Sequence, residues 1–321
     1  MYTNSTNISL SLAVWLAQDD YDHNPDPNTI SATSLLKSTK SVLLSGRYQS
    51  ENPTDVIGLV PSRMGTAIHT AIEQAWLSDK LESTLKQLGI NDKVASKIKI
   101  NPEDPTDCIP IYMEIRSAKE LCGYTVTGKF DFICNGALED FKSTGTYSYI
   151  NQSNAEKYVL QGSIYRWLNP DIILEDYMTI QYIFTDWSAA KAKQDKNYPQ
   201  SRVIGQKYVL KSLEETEQYV REKLNNLIKF ADADQDEMPA CTDEDVWANP
   251  PTYKYYKDPT KKTRSTKNFD TYWEAHKRFI DDGSVGEIVT VEGTVGFCRY
   301  CPAASYCNQA AKYIEQGRLV L

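Results

Sequence analysis

Two apolar periods alternate along this chain. In "SRMGTAIHTAIEQAW" (62–76), Met64, Ile68, Ala71, Ile72 and Ala75 recur at helical spacing, which predicts an amphipathic helix. "SNAEKYVLQGSIYRWL" (153–168) predicts a second, opened by a capping box Ser153-x-x-Glu156. A third runs from Ser212, again Ser-x-x-Glu, to about Phe230. Between them the period falls to two. "GKFDFICNGALEDFKST" (128–144) reads as two strands around Asn135-Gly136, the strongest short hairpin signal. "EDYMTIQYIFTDW" (175–187) and "SRVIGQKYVL" (201–210) read as further strands, and "SATSLLKSTKSVLL" as short helical patches. This order predicts an α/β fold, a central mixed β-sheet flanked by helices. Beyond 232 the texture turns acidic, then basic and aromatic, then cysteine-rich. The divisions expected are a helical amino-terminal arm over 1–60, a core over 61–231 and a cysteine-rich metal module over 232–321.

The hairpin carries the chemistry. A two-residue turn pairs Cys134 with Ala137 and sets Asp131 opposite Asp140, with Lys129 and Lys142 on the same face. Facing like charges destabilise a sheet. Two readings follow. Either the face is solvated and balanced by its lysines, or the carboxylates share a Mg²⁺ or Mn²⁺. In the second, Lys142 polarises or deprotonates an attacking water, or offsets transition-state charge. His69 and Glu73 lie four apart on one helix face. They are an ordinary surface pair, or a further metal ligand and the group that orients it. Gln161 falls in the stripe Tyr158, Gln161, Tyr165, Leu168, where a buried amide needs a partner. Gly123-x4-Gly128-Lys129 mimics a P-loop, but Phe130 replaces the Ser/Thr and the stretch enters a strand. Asp232-x-Asp234-x-Asp236 starts like a calcium loop, but Glu237 stands where glycine is required.

Composition narrows the class. The 321 residues are 41% hydrophobic, enough for a real core, and the net charge of −8 argues against a coat protein for nucleic acid without excluding a local basic patch. No run is long and apolar enough to span a bilayer. "MYTNSTNISL" lacks the features of a signal peptide, so the expected location is the cytoplasm. Seven cysteines, an odd count, favour a metal site over a disulfide framework. Cys298-x-x-Cys301-x5-Cys307 is that site, with Cys241 the best fourth ligand. Cys108, Cys122 and Cys134 read as core thiols. "YKYYKDPTKKTRSTKNF" (253–269) holds Lys254, Lys257, Lys261, Lys262 and Arg264, with Tyr255 among them as a stacking surface for single-stranded DNA. The bland alternative there is a solvated loop. Lys191, Lys193, Lys196 and Arg202 form a weaker patch.

Gly65-x-x-x-His69-x-x-x-Glu73, Gly128-x-x-Asp131, Asp140-Phe141-Lys142 and Gln161-x-x-x-Tyr165, in this order over roughly 62–170, resemble the PD-(D/E)XK nuclease superfamily, and most of all its RecB-like branch. That branch includes CRISPR-adaptation nucleases and many phage exonucleases. The resemblance implies a restriction-endonuclease-like core and a metal held by His69, Asp131, Asp140 and the Phe141 carbonyl. It implies that Lys142 activates water and that Gln161 and Tyr165 support the site or touch DNA. The cysteine spacing resembles the iron–sulfur module of the same branch, which implies a 4Fe–4S cluster, with zinc as the alternative. One cysteine of that module normally precedes the His motif; here the first cysteine is Cys108. Either metal would act as a staple. The function expected is a metal-dependent DNA exonuclease of phage-type replication or recombination, acting in the host cytoplasm if phage-encoded. Its partners would be single-stranded DNA or duplex ends and a possible replication or recombination protein. A structure-specific endonuclease and a non-catalytic DNA-binding protein are the alternatives.

Overall fold

A computed structural model describes residues 2–18, 26–48 and 53–321. Parts of the predicted arm, at 1, 19–25 and 49–52, lie outside the described residues. The chain divides into two compact units, one of residues 1–36 with 52–225, the other of 37–51 with 226–321.

The elements begin with β1 (Tyr2–Thr3), α1 (Leu10–Ala17), β2 (Thr29–Ser31) and α2 (Ala32–Leu35). Then come α3 (Thr39–Arg47), which belongs to the second unit, and β3 (Thr54–Asp55), which pairs in parallel with β1. The predicted amphipathic helix is α4 (Val60–Leu77), with Pro61 in its first turn, where a missing N–H costs nothing. Its apolar stripe is only half covered; no residue of α4 is buried, and Met64 is 41% exposed. The helix meets the sheet through Trp76, whose ring centre lies 4.9 Å from that of Phe132. After α5 (Leu81–Gln87) and α6 (Asp92–Ala95), the Pro-interrupted stretch resolves into β4 (Ile98–Ile100), β5 (Ile109–Met113) and β6 (Arg116–Leu121).

The hairpin region is three strands: β7 (Tyr124–Lys129), β8 (Phe132–Cys134) and β9 (Ala137–Thr144). Asn135 and Gly136 both take positive φ, 51° and 77°, as a type I′ turn requires, and Cys134 pairs with Ala137. The ladder stops at Phe132–Glu139. Before it the chain bends, and β7 joins a separate three-stranded sheet of order β2-β7-β6. The expectation of one continuous hairpin face is therefore corrected: Lys129 leaves with β7 and pairs with Glu114.

After α7 (Thr146–Ile150), α8 (Ala155–Leu168) lies over the sheet. Its predicted capping box is not formed: the N-cap is Asn154, with no side-chain bond. β10 (Tyr177–Phe184), α9 (Ala189–Gln194), β11 (Val203–Val209) and α10 (Leu213–Lys229) follow. Here Ser212 and Glu215 do form the reciprocal box, at 3.1 and 2.8 Å. The main sheet has six strands in the order β11-β10-β9-β8-β5-β4. β9 and β10 run parallel in its middle, so β9 is flanked by strands on both sides. The α/β class with a mixed central sheet is thus the architecture of this unit.

In the second unit, β12 (Thr252–Tyr256), β13 (Lys267–Phe269) and β14 (Glu287–Val291) make a small antiparallel sheet, with α11 (Tyr272–Asp281) packed on it. The unit also holds α12 (Asn308–Glu315) and the cysteine stretch. α3 joins this unit by long-range bonds: Arg47 donates to the carbonyls of Ala233, Phe230 and Ala231, and Tyr48 stacks on Tyr306 at 4.9 Å.

Candidate active site

The chain crosses between the two sheets of the first unit at two points, and a carboxylate sits at each. Going from β5 to β6 it passes Glu114, held at φ 53°; returning from β7 to β8 it passes Asp131. The crossings touch, since the Glu114 N–H donates to the Asp131 carbonyl at 3.2 Å. Asp131 has no ladder partner. Instead its Oδ2 accepts the Phe141 N–H at 2.9 Å, which brings it beside β9 and Asp140 without the direct facing that the hairpin register predicts.

His69 arrives from α4. Its Nε2 lies 2.8 Å from the Phe141 carbonyl and its Nδ1 3.4 Å from Asp131 Oδ2. Gly65, one turn earlier, also lies over β9; a Cβ there would meet Ser143 Oγ at 3.4 Å, an ordinary contact. His69, Glu114 and Asp131 each offer a ligand atom within 4.8 Å of the others. Glu114 is not among the residues that the sequence singles out. Its signal there is faint: one acid at the boundary between an apolar strand and a polar one, whose neighbours come from fifteen residues and more away.

Asp140 and Lys142 lie two apart on β9 and so share one of its faces. Lys142 Nζ is 2.6 Å from Asp140 Oδ2, yet that oxygen has no well-aligned hydrogen-bond partner among the described residues. Burial pushes the Asp140 carboxyl up, Lys142 pulls it back and Asp131 adds to the push, leaving it at about 6. Burial alone would raise Asp131, but the His69 bond and charge, Lys142 and the Phe141 N–H outweigh it and hold it below the usual carboxylate value. The bond to Asp131 raises His69 against the opposing effect of burial. Burial pulls Lys142 down, but Asp140 and Asp131 outweigh it and keep the ammonium. The ring of Tyr158 lies 5.7 Å from Lys142 Nζ.

The other predicted residues divide. Gln161 is buried and its Nε2 donates to Tyr165 Oη at 2.9 Å, so its partner is a neighbour on the same helix. Gly128 makes room for Tyr165: a Cβ there would come 2.7 Å from Leu168 and 3.0 Å from Tyr165. Glu73 is half-buried and makes no hydrogen bond or ion pair among the described residues. In the second unit Cys241, Cys298, Cys301 and Cys307 line one cavity. Burial, then the neighbouring Cys307, Cys301 and Cys241, pushes the Cys298 thiol up to about 11, so the four sulfurs sense one another. Among the described residues no three cysteine sulfurs lie within 4.8 Å of one another. Cys108, Cys122 and Cys134 are half-buried rather than core.

The basic stretch is corrected in one respect. Tyr255 is fully buried, its hydroxyl donating to the Val285 carbonyl at 2.8 Å, so it offers no ring to a base. Its ring packs edge-on against Phe279 of α11, with centres 6.4 Å apart. Lys257 faces Asp282, Lys261 faces Asp258 and Lys262 faces Glu287. Among the described residues Lys254 and Arg264 have no carboxylate partner.

No family model matches the chain, and no curated protein matches it. Among solved structures, "Crystal structure of SSO0001" aligns with a TM-score of 0.41 at 14% identity, over 73% of this chain and 92% of that one. A phage related exonuclease from Haemophilus somnus 129PT aligns with a TM-score of 0.25 at 12% identity, over 50% of this chain and 72% of that one. Both scores are too low to show a shared fold. No helix among the described residues is long and apolar enough to cross a membrane.

Proposed function

We propose that this chain is a divalent-metal-dependent deoxyribonuclease, an exonuclease in the first instance, with its site at His69, Glu114, Asp131, Asp140 and Lys142. One observation carries the reading: a buried acid–lysine pair on β9 adjoins three convergent N/O donors. The fit to a hard cation rests on that donor set and on the Asp140 oxygen that lacks an aligned donor. Both ring nitrogens of His69 face acceptors, Asp131 Oδ2 and the Phe141 carbonyl, so a proton on the imidazole now balances them. His69, Glu114, Asp131, Asp140 and the Phe141 carbonyl would hold Mg²⁺ or Mn²⁺. When bound, that cation supplies Lewis-acid polarisation of a phosphate and lowers the pKa of water.

The chain's own residues do the rest. Lys142 is held as an ammonium, so of the roles expected from sequence it fits charge compensation at the phosphate oxygens better than proton abstraction. Asp140 fixes that ammonium in place at 2.6 Å. Asp131 orients His69 and, through the Phe141 N–H, the turn of β9 that presents the carbonyl. Phosphate binding by Lys254 and Arg264, and by Lys261 after exchange of its exposed partner Asp258, extends the reading to DNA ends. The four cysteines hold a structural metal. The resemblance of their spacing favours an iron–sulfur cluster, with zinc as the alternative. The deciding assay uses end-labelled single- and double-stranded DNA with Mg²⁺, Mn²⁺ or EDTA. Cleavage by wild type that disappears with EDTA and in Asp140→Ala supports the reading; equal cleavage by Asp140→Ala removes it.

A further inference from the structure

A buried lysine normally has an acid against it, because an unpaired charge removed from water is costly. Lys40, on α3, is 4% exposed and pairs with no carboxylate among the described residues. Its Nζ donates to two neutral acceptors, the Gln235 carbonyl at 2.8 Å and Asn308 Oδ1 at 2.7 Å. Asp236 is met only at second hand, by accepting a bond from the Asn308 amide. No side-chain carboxylate among the described residues accepts from this amine.

Lys40 lines the same cavity as the four cysteines. Two further features favour negative charge there. Cys307 occupies the N-cap position of the eight-residue helix α12, without a side-chain capping bond, where the helix's first N–H groups leave partial positive charge. Ser38 and Ser41, on either side of Lys40, approach sulfur: Ser38 Oγ lies 3.0 Å from Cys241 Sγ and Ser41 Oγ 3.8 Å from Cys301 Sγ. Four thiolates around Zn²⁺, or around a 4Fe–4S core of charge +2, carry a net charge of −2. Four neutral thiols carry none and give Lys40 no partner.

We infer that Lys40 is the counter-cation of an anionic metal–thiolate centre held by Cys241, Cys298, Cys301 and Cys307, with Ser38 and Ser41 donating to its sulfurs. This rests on the metal reading of those cysteines. It makes α3 the outer wall of the centre. Lys40 is a positioning residue, not a ligand: it stabilises the charged, metal-loaded form over the metal-free one.

The test compares wild type with Lys40→Met and Lys40→Arg in the full chain. Zinc is titrated against a competing chelator, and iron and sulfide are reconstituted anaerobically in parallel. Lys40→Met should lower the affinity for whichever metal wild type takes by about 10–100-fold, the usual effect of losing an outer partner of a metal ligand. It should also raise the melting temperature of the metal-free protein, because an unpaired buried charge is gone. Lys40→Arg should keep most of the affinity. If Lys40→Met does not fold, Asn308→Asp neutralises the lysine in place and should show the same loss. Wild-type affinity in Lys40→Met overturns the inference, as does destabilisation of the metal-free and loaded forms alike. Cys298→Ser separates the two levels: if it retains full metal, the cysteine reading itself fails. If wild type takes neither metal, both fall.

Discussion

Asp140 and Lys142 are two residues apart, yet removing either should move stability in opposite directions. In metal-free protein, Asp140→Asn deletes a buried carboxyl that the fold holds at a cost, so the melting temperature should rise. Lys142→Ala leaves that carboxyl without its ammonium and should cost roughly 3–5 kcal/mol. Both variants should lose cleavage, Lys142→Ala by about 10²–10³-fold. Thermal melts with EDTA, beside the end-labelled assay, check this; a shared sign in the two melts would refute the pairing. Acidity gives a second expectation. The folded Asp140 pKa of about 6 exceeds its ordinary 3.8, so the native state binds the extra proton between those values. Its contribution to stability falls as pH rises through that window, on the order of 3 kcal/mol in full. His69, also raised, acts in the same sense but above its ordinary 6.5, as pH rises through its higher folded value. Asp131 is lowered and matters only below 3.8. Metal-free wild type should therefore melt lower at pH 7.5 than at pH 5, and Asp140→Asn should flatten the trend.

At the scale of elements, what the sequence made legible was local. Asn135-Gly136 names its own turn because both positions need positive φ, and the Ser212–Glu215 box needs only three residues' spacing. What it hid depends on partners far along the chain. The bend at Phe130–Asp131 breaks no pattern of alternation; β7 departs because β6 and β2 wait for it. Glu114 matters only because that departure has a matching entry from β5. Tyr255 looked like a stacking ring among lysines, but in the three-stranded sheet it is the central strand that carries it, and both Tyr255 and its neighbour Tyr256 are buried. The close packing of α8 on β7 gives a test. Gly128→Ala would press a methyl against Leu168 and Tyr165 and should cost about 1–3 kcal/mol in denaturant unfolding. It should also reduce cleavage, through the tilt of the helix that carries Gln161. An unchanged midpoint would show that α8 has slack there.

For the whole molecule, the net charge of −8 leaves DNA binding to local patches. Replacing Lys254, Lys257, Lys261 and Lys262 with Ala should weaken binding. Every phosphate that is no longer neutralised should flatten the log–log salt dependence by about 0.7–0.9. Three of these lysines already face acids, so the total change should fall short of four such steps. Anisotropy across a salt series with Ca²⁺ measures it, and an unchanged slope would return the stretch to a solvated loop. The same acid-facing geometry explains why sequence overcounted the patch: Asp282 and Glu287 lie outside the basic run that drew attention.

The second unit is discontinuous, built from residues 37–51 and 226–321. That division sets an order of events during synthesis. When a ribosome has delivered α3, nothing yet exists for Arg47, Tyr48 or Lys40 to bind, and the intervening chain must be made first. Lys40 gains its partner Asn308 only after the last cysteine, Cys307, has emerged. If the four cysteines hold a metal as proposed, its binding would mark completion: a nascent or truncated product lacking residues 298–307 would lack three of the four proposed ligands and leave the second unit unclosed. Limited proteolysis of such a truncation should cut near residues 37–51, while the full-length protein loaded with metal resists at the same site.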